Sequence, residues 1–265
     1  MKLTILGSGT CVPGFTKNTL RFSPGFLLEF DGKYILFECG QGVADRLVRQ
    51  GVQPTDVQYL AISHAHPDHD ALVHHLQTVY VSGLVNAKYK MKELNVYCPP
   101  QIEKSFSARW FAHLPAKDKV GYPWPKLKFH PLSAGEFIDL AGGKLFAYDV
   151  HHDYGKMEAR AYRFEYKKKV FVYSGDTGLC AGIIKAAQGA DLFICEASAR
   201  IGQNNNEYGH LNPKQAGEIA QQVGVKKIML FHHYGQDSDK AMIKEVKSVY
   251  GGKVNICHDF EKVKF

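Results

Sequence analysis

Long apolar runs are missing from this 265-residue chain, and none approaches the ~20 residues that a bilayer span requires. No membrane function is expected from such a sequence. The N-terminus passes straight into a strand-like segment, Lys2–Leu6, with no signal-peptide apolar core ahead of it. Paired cysteines are missing as well. The six present (Cys11, Cys39, Cys98, Cys180, Cys195, Cys257) stand singly, without C-x-x-C spacing. Scattered thiols without an export signal point to reduced cysteines and a cytoplasmic protein. Nor is there a Ser/Gly/Pro-rich linker, a low-complexity tract or a long internal repeat, so one domain over residues 1–265 is expected. A hydrophobic content of 45%, with 16 Phe and 14 Tyr, is enough for a sizeable core.

The formal charge of +7 suits an anionic substrate and is compatible with RNA. That charge is diffuse, however. Its densest run, Lys167-Lys168-Lys169, lies between two strand-like segments and reads as a solvated hairpin turn instead of a nucleic-acid clamp.

What stands out is Ser63-His64-Ala65-His66-Pro67-Asp68-His69, three imidazoles and a carboxylate within six positions. The preceding Val57–Ile62 reads as a short buried strand. If the chain stays extended past it, His64 and His66 point to the same side, because side chains in a strand repeat every two residues. Pro67 keeps His66 extended and suits the first turn of a helix, which brings Asp68 and His69 round to the same space. Imidazole and carboxylate donors converging in this way suit zinc, with iron or manganese as substitutes.

The H-x-H-x-D-H string resembles that of the metallo-β-lactamase-fold hydrolases. Four further segments narrow the resemblance, which runs from Met1 to about Val254. Leu3–Thr10 looks like that family's first strand and glycine turn, in the style of ribonuclease Z. Phe37–Gly42 resembles its second glycine-rich loop, although the family usually has Asp where this chain has Glu38. Val172–Thr177 looks like the segment that supplies a bridging carboxylate, and Met229–His233 like the last strand, which ends in a ligating histidine. The fold this implies is an α/β (α+β) αββα sandwich, two mixed sheets between helical layers. The ligand set it implies is His64, His66 and His152 at a first site and Asp68, His69 and His232 at a second, with Asp176 bridging. His151 competes with His152 for the middle position. His152 is preferred because it continues the face of Phe146, Tyr148 and Val150 and is followed by Asp153. Such a centre implies two zinc ions (Mn2+ or Fe2+ as substitutes) holding a bridging hydroxide, with Asp68 also orienting it.

Strands are expected at Lys2–Leu6, Gly25–Phe30, Tyr34–Phe37, Gln58–Ile62, Asn95–Cys98, Gly135–Leu140, Lys144–Val150, Ala161–Tyr166, Val170–Tyr173, Leu192–Cys195, Lys227–Phe231 and Val254–Cys257. Helical spacing follows the metal string at Leu72, Leu76, Val79 and Tyr80. It returns in Asn212–Val223, which opens with Asn-Pro as a helix should, and in Asp239–Tyr250. The aromatic-rich insertion at about 94–125 carries Phe106, Trp110, Phe111, Tyr122 and Trp124. It reads either as an added helix and loop packing on the core or as a wall beside the substrate.

The chemistry is narrowed by Cys195-Glu196-Ala197-Ser198 and Gly209-His210-Leu211, which resemble segments of the ribonuclease Z and phosphodiesterase branch. There a histidine paired with the glutamate can protonate the departing oxygen, so His210 and Glu196 join Asp68 as expected catalytic residues. The branch's tRNA endonucleases usually carry a long Gly/Pro-rich arm, and only a short hairpin fits between His152 and Asp176. A small anionic or cyclic phosphodiester is therefore favoured over precursor tRNA. A lactone or other carboxylic-ester hydrolase on the same ions is the alternative enzyme, and a non-catalytic metal-binding sensor the alternative class. The sequence leaves the oligomeric state open, a homodimer included.

Overall fold

The computed structural model describes residues 1–12, 20–86, 88, 93–113 and 126–265, with the side chains of residues 84, 107 and 110–113 outside the description. Strict alternation along the strands sets the layering. In β2 (Gly25–Phe30), Phe26, Leu28 and Phe30 turn to one side and Leu27 to the other; in β3 (Lys33–Phe37), Ile35 and Phe37 oppose Leu36. Likewise in β10 (Lys169–Tyr173), Phe171 and Tyr173 oppose Val172. Strands that are apolar on both faces need cover on both, and two sheets provide it for each other on their inner sides.

Among the described residues fourteen strands form two seven-stranded sheets. The first contains β1 (Lys2–Gly7), β2, β3, β4 (Tyr59–Ala61), β5 (Glu93–Cys98), β6 (Lys126–Pro131) and β14 (Lys262–Lys264), in the order β14-β1-β2-β3-β4-β5-β6. The second contains β7 (Phe137–Leu140), β8 (Gly143–Val150), β9 (Ala159–Tyr166), β10, β11 (Leu192–Glu196), β12 (Lys227–Phe231) and β13 (Lys253–Ile256), in the order β13-β12-β11-β10-β9-β8-β7. Both are mixed: β3 to β6 and β10 to β13 run parallel, and the other neighbours antiparallel. Between the sheets lies one aromatic core, in which the Tyr173 ring meets those of Phe26, Phe37 and Phe231. Helices α1 (Val43–Arg49), α2 (Leu72–Val85) and α3 (Pro100–His113) cover the outer face of the first sheet. On the second sheet that cover comes from α4 (Ala181–Ala187), α5 (Pro213–Gln222) and α6 (Asp239–Lys247). The expected αββα sandwich is the observed fold.

Differences from the sequence expectation are local. Two of the helices, α1 and α4, and the strands β6 and β14 were not anticipated, whereas α3 falls in the aromatic-rich insertion, where an added helix was one of the two readings. The unforeseen strands are short or half-exposed, with lysines at alternate positions in place of apolar residues. The strand expected from Gly135 starts at Phe137, because Ser133 and Glu136 close a turn through Ser133 N to Glu136 Oε2 (2.7 Å) and Glu136 N to Ser133 O (3.1 Å). Helix α5 has the foreseen start: the Asn212 side chain accepts from Gln215 N, and Pro213 sits at the first turn. Lys167 and Lys168 form the exposed turn between β9 and β10, and Lys169 opens β10. Phe106 packs under the first sheet, whereas the side chains of Trp110 and Phe111 and all of Tyr122 and Trp124 lie outside the described residues. No described helix is long and apolar enough to cross a membrane.

Candidate metal centre

The carboxyl ends of β3, β4, β8, β10, β11 and β12 meet at one edge of the sandwich, where loops leaving parallel strands bring polar groups together. The loop after β4 is tied to the second sheet at its root. Tyr162 Oη donates to Ile62 O at 2.9 Å, and Arg160 N donates to Ser63 O at 2.9 Å. Beyond that root, His69 N and Asp70 N both bond to His66 O (3.0 and 2.9 Å), the tight turn that carries Asp68 and His69 back over the strand end.

Two groups of donors result. His64, His66, His152 and Asp176 form one, and Asp68, His69 and His232 the other. In the first, His66 Nδ1 is 3.0 Å from His64 Nε2 and 3.2 Å from His152 Nε2. In the second, His232 Nε2 is 3.1 Å from His69 Nε2 and 3.3 Å from Asp68 Oδ2. Asp176 stands between them. Its Oδ1 is 3.4 Å from His69 Nε2, and its Oδ2 is 3.4, 3.8 and 3.9 Å from His232, His64 and His152. The turn that lifts it there needs Gly175, with φ of 60°, since a Cβ would lie 2.7 Å from Ser63 Cβ.

These side chains suit divalent cations. Imidazole nitrogens bound ~2.0–2.1 Å from one tetrahedral ion lie about 3.3 Å apart, close to the spacings within each group. Asp176 Oδ1 is buried with no hydrogen-bond partner, an orphan that a cation would satisfy. The tautomers agree too. His152 Nδ1 faces Gly209 O (3.0 Å), which can only accept, so Nε2 keeps its lone pair for a metal. Ser198 Oγ donates to His232 O (2.7 Å) and so accepts from His232 Nδ1 (2.7 Å), leaving that ring's Nε2 free as well. Gly209 can approach this closely only without a side chain, because a Cβ would sit 2.5 Å from His152 Cα.

Electrostatics divide the centre. Burial and the neighbouring imidazoles hold His64 well below the usual histidine range. Burial also acts on His69, but Asp176, Asp68 and Glu38 outweigh it and push His69 up to about 10. Asp68 and Asp176 are lowered by surrounding histidines in spite of burial. Glu38 is fully buried, with φ of 63°. Its carboxylate accepts from Ser63 N (3.2 and 3.1 Å) and faces His69 Nδ1 at 3.5 Å. His232 is also held left-handed, with φ of 61°. Non-glycine residues in that region persist only where neighbours over-determine them.

His210 lies beside the cluster, with Asp176, His210 and His232 forming a third close group. Its Nδ1 donates to Glu196 Oε1 at 2.8 Å. Glu196 accepts in addition from Thr177 N (3.0 Å), Leu211 N (3.3 Å) and Ser198 N (2.8 Å), which fixes the carboxylate. Burial works against charge on His210, but Glu196, with its hydrogen bond, and Asp176 raise it to about 9. All the expected site residues, His64, His66, Asp68, His69, His152, Asp176, Glu196, His210 and His232, therefore converge. His151 turns away, its Nε2 2.9 Å from Glu207 O. Sequence reading missed the supporting roles of Ser63, Ser198 and Gly209, although Ser63 and Gly209 adjoin His64 and His210 and Ser198 lies two residues after Glu196. It also missed Tyr208, whose ring lies 5.2 Å from that of His210.

A model of the beta-lactamase superfamily domain matches residues 33–233. The chain is 27% identical over 292 residues to ribonuclease Z of Picrophilus torridus, covering 94% of this chain and 91% of that one. It is 28% identical over 261 residues to the probable metallo-hydrolase YhfI of Bacillus subtilis, covering 97% of both. The crystal structure of YhfI superposes with a TM-score of 0.82 at 22% identity, over 99% of this chain and 98% of that one. A diphosphatase from the PhnP family superposes at 0.74 with 18% identity, over 100% of this chain and 97% of the other. A buried His/Asp cluster, on this fold and in this company, supports a divalent metal. The chain belongs to the beta-lactamase superfamily and is a metal-dependent hydrolase of the metallo-β-lactamase fold, related to ribonuclease Z.

Proposed function

We propose that the protein is a dinuclear zinc phosphodiesterase acting on small or cyclic phosphodiesters. The observation that carries this reading is the buried His210–Glu196 pair at 2.8 Å, set beside the cluster. Two divalent ions, when bound, supply an activated water and offset the charge that develops on phosphate oxygens. His64, His66 and His152 would hold one, Asp68, His69 and His232 the other, and Asp176 would serve both. Asp68 orients the attacking water. As oxygen adds to phosphorus, the bond to the leaving alcohol breaks, and the proton from His210 Nε2 goes to the departing oxygen. Glu196, on Nδ1, keeps that ring oriented and favours its charged form.

A small substrate is favoured because the chain between His152 and Asp176 is occupied by the β9–β10 hairpin, whose turn is Lys167-Lys168. Relatives named ribonuclease Z keep RNA in view as a second substrate class. The six cysteines are free thiols, which supports a reducing, cytoplasmic compartment.

Leaving-group chemistry tests the reading. A general acid matters in proportion to how badly the departing group needs a proton. His210→Ala should lose roughly 10²–10⁴-fold on an alkyl or nucleoside diester and little on an aryl diester, whose phenolate leaves unaided. Equal losses on both would remove His210 as the acid. Activity confined to lactones and untouched by the substitution would move the chain to carboxylic-ester hydrolysis.

A further inference from the structure

Directly after His152 the backbone turns left-handed at three consecutive residues, with φ of 46° at Asp153, 54° at Tyr154 and 71° at Gly155. An aromatic residue rarely accepts that conformation, and it is held here from outside. Tyr154 N donates to Tyr208 O (3.1 Å), Gly155 N to His152 O (2.9 Å), and His151 Nε2 meets Glu207 O (2.9 Å). The loop after β8 is thus stitched to the loop that carries His210.

The outcome is a line of rings leading away from the cluster. Tyr208 lies 5.6 Å from His152 at 80° and 5.2 Å from His210 at 37°. Tyr154 lies 5.2 Å from Tyr208 at 87°, so the two phenols form a right-angled corner. Neither belongs to any of the three hydrophobic core clusters, and Tyr154 is 55% exposed. Packing therefore does not account for the strained backbone. Lys156 Nζ stands 5.7 Å from the Tyr154 ring and keeps positive charge at the corner.

We propose that Tyr154 and Tyr208 form a stacking subsite for a nucleobase carried on the leaving-group side of the substrate. A planar heterocycle can lie face-on to one ring and edge-on to the other, the two favoured aromatic arrangements. The side is set by His210, because the group it protonates departs past Tyr208. Lys156 suits the anionic character of a nucleotide. This inference rests on the phosphodiesterase reading and narrows it to nucleoside phosphodiesters.

Binding of AMP and of ribose 5-phosphate to the zinc-loaded protein tests it without turnover, because the two differ only in the base. Base stacking on an aromatic side chain is worth roughly 5- to 100-fold in affinity, so wild type should prefer AMP by about that ratio. Tyr154→Asn, which suits a left-handed backbone, should collapse the ratio towards one, while Tyr154→Phe should keep it. Equal affinity for both ligands in wild type, or a ratio unmoved in Tyr154→Asn, would overturn the subsite. Diester hydrolysis assayed alongside separates the two ideas. Cleavage of methyl diesters with no AMP preference leaves the phosphodiesterase standing without the subsite. An AMP preference lost in Tyr154→Asn, with no diester cleaved, leaves the subsite standing and removes the phosphodiesterase.

Discussion

The first sheet delivers His64, His66, Asp68 and His69 through one loop, whereas the second delivers His152, Asp176, Glu196, His210 and His232 from separate strand ends and loops. In the loop, local geometry does the positioning: an extended pair, a proline and one tight turn held by His66 O. In the second sheet positioning depends on strand register. Glu196 pairs with Phe231, so β11 and β12 end level, and Tyr173 pairs with Ile194, so β10 ends two residues earlier. A contiguous ligand set is robust to changes elsewhere in the fold, while a dispersed one depends on every strand that carries it. Asp176 belongs to the dispersed set yet faces both groups.

That position makes Asp176 the sharpest place to break the comparison. The proposed centre should hold two ions per chain, and Asp176→Ala should lose at least one, with activity falling more than about 100-fold, beyond what loss of an outer-shell partner costs. Elemental analysis of both proteins decides it. A single ion in wild type, unchanged in the variant, removes the bridging role.

His151 and His152 test the dispersed set at finer grain, because adjacent residues there have opposite surroundings. His152 is buried and meets His66 at 3.2 Å, while the His151 ring points to the backbone carbonyl of Glu207 at 2.9 Å. His152→Ala should therefore abolish most metal binding at the first group, and His151→Ala should leave it nearly intact. Zinc titrations giving the reverse order would transfer the ligand to His151.

The same division explains what could be read in the sequence. The H-x-H-x-D-H string declares itself because its donors are neighbours in the chain, and strand periodicity alone turns His64 and His66 together. Asp176, His210 and His232 each occupy an ordinary-looking turn, and only likeness to a family singled them out. The two sheets were legible from short apolar runs in strands such as β2 and β10, which are buried on both faces. Strands β6 and β14 were not, because lysines interrupt their apolar pattern, and α1 and α4 have only 7 residues each. Ser198 and Tyr154 were invisible for another reason. Their roles exist only where separate loops meet, Ser198 under His232 and Tyr154 against Tyr208.

The smallest expected effects come from the residues behind the ligands, and they sharpen the comparison. Glu38 supports the contiguous loop in two places: it accepts from Ser63 N, next to His64, and faces His69 Nδ1. Glu38→Gln can present an amide N–H to the His69 Nδ1–H, two donors facing each other, and so disturbs both groups through one residue. Ser198 supports His232 alone, and Ser198→Ala removes one acceptor from one ring. Outer-shell losses usually cost 10–100-fold in metal affinity, so Glu38→Gln should fall near about 100-fold and Ser198→Ala near about 10-fold. Competition with a zinc chelator measures both, and circular dichroism melts of the metal-free proteins separate fold damage from ligand damage. If the loop acts as a unit, the Glu38 variant weakens both zinc-binding steps and the Ser198 variant only one. Equal single-step losses would mean that the contiguous string is held no more cooperatively than the dispersed one.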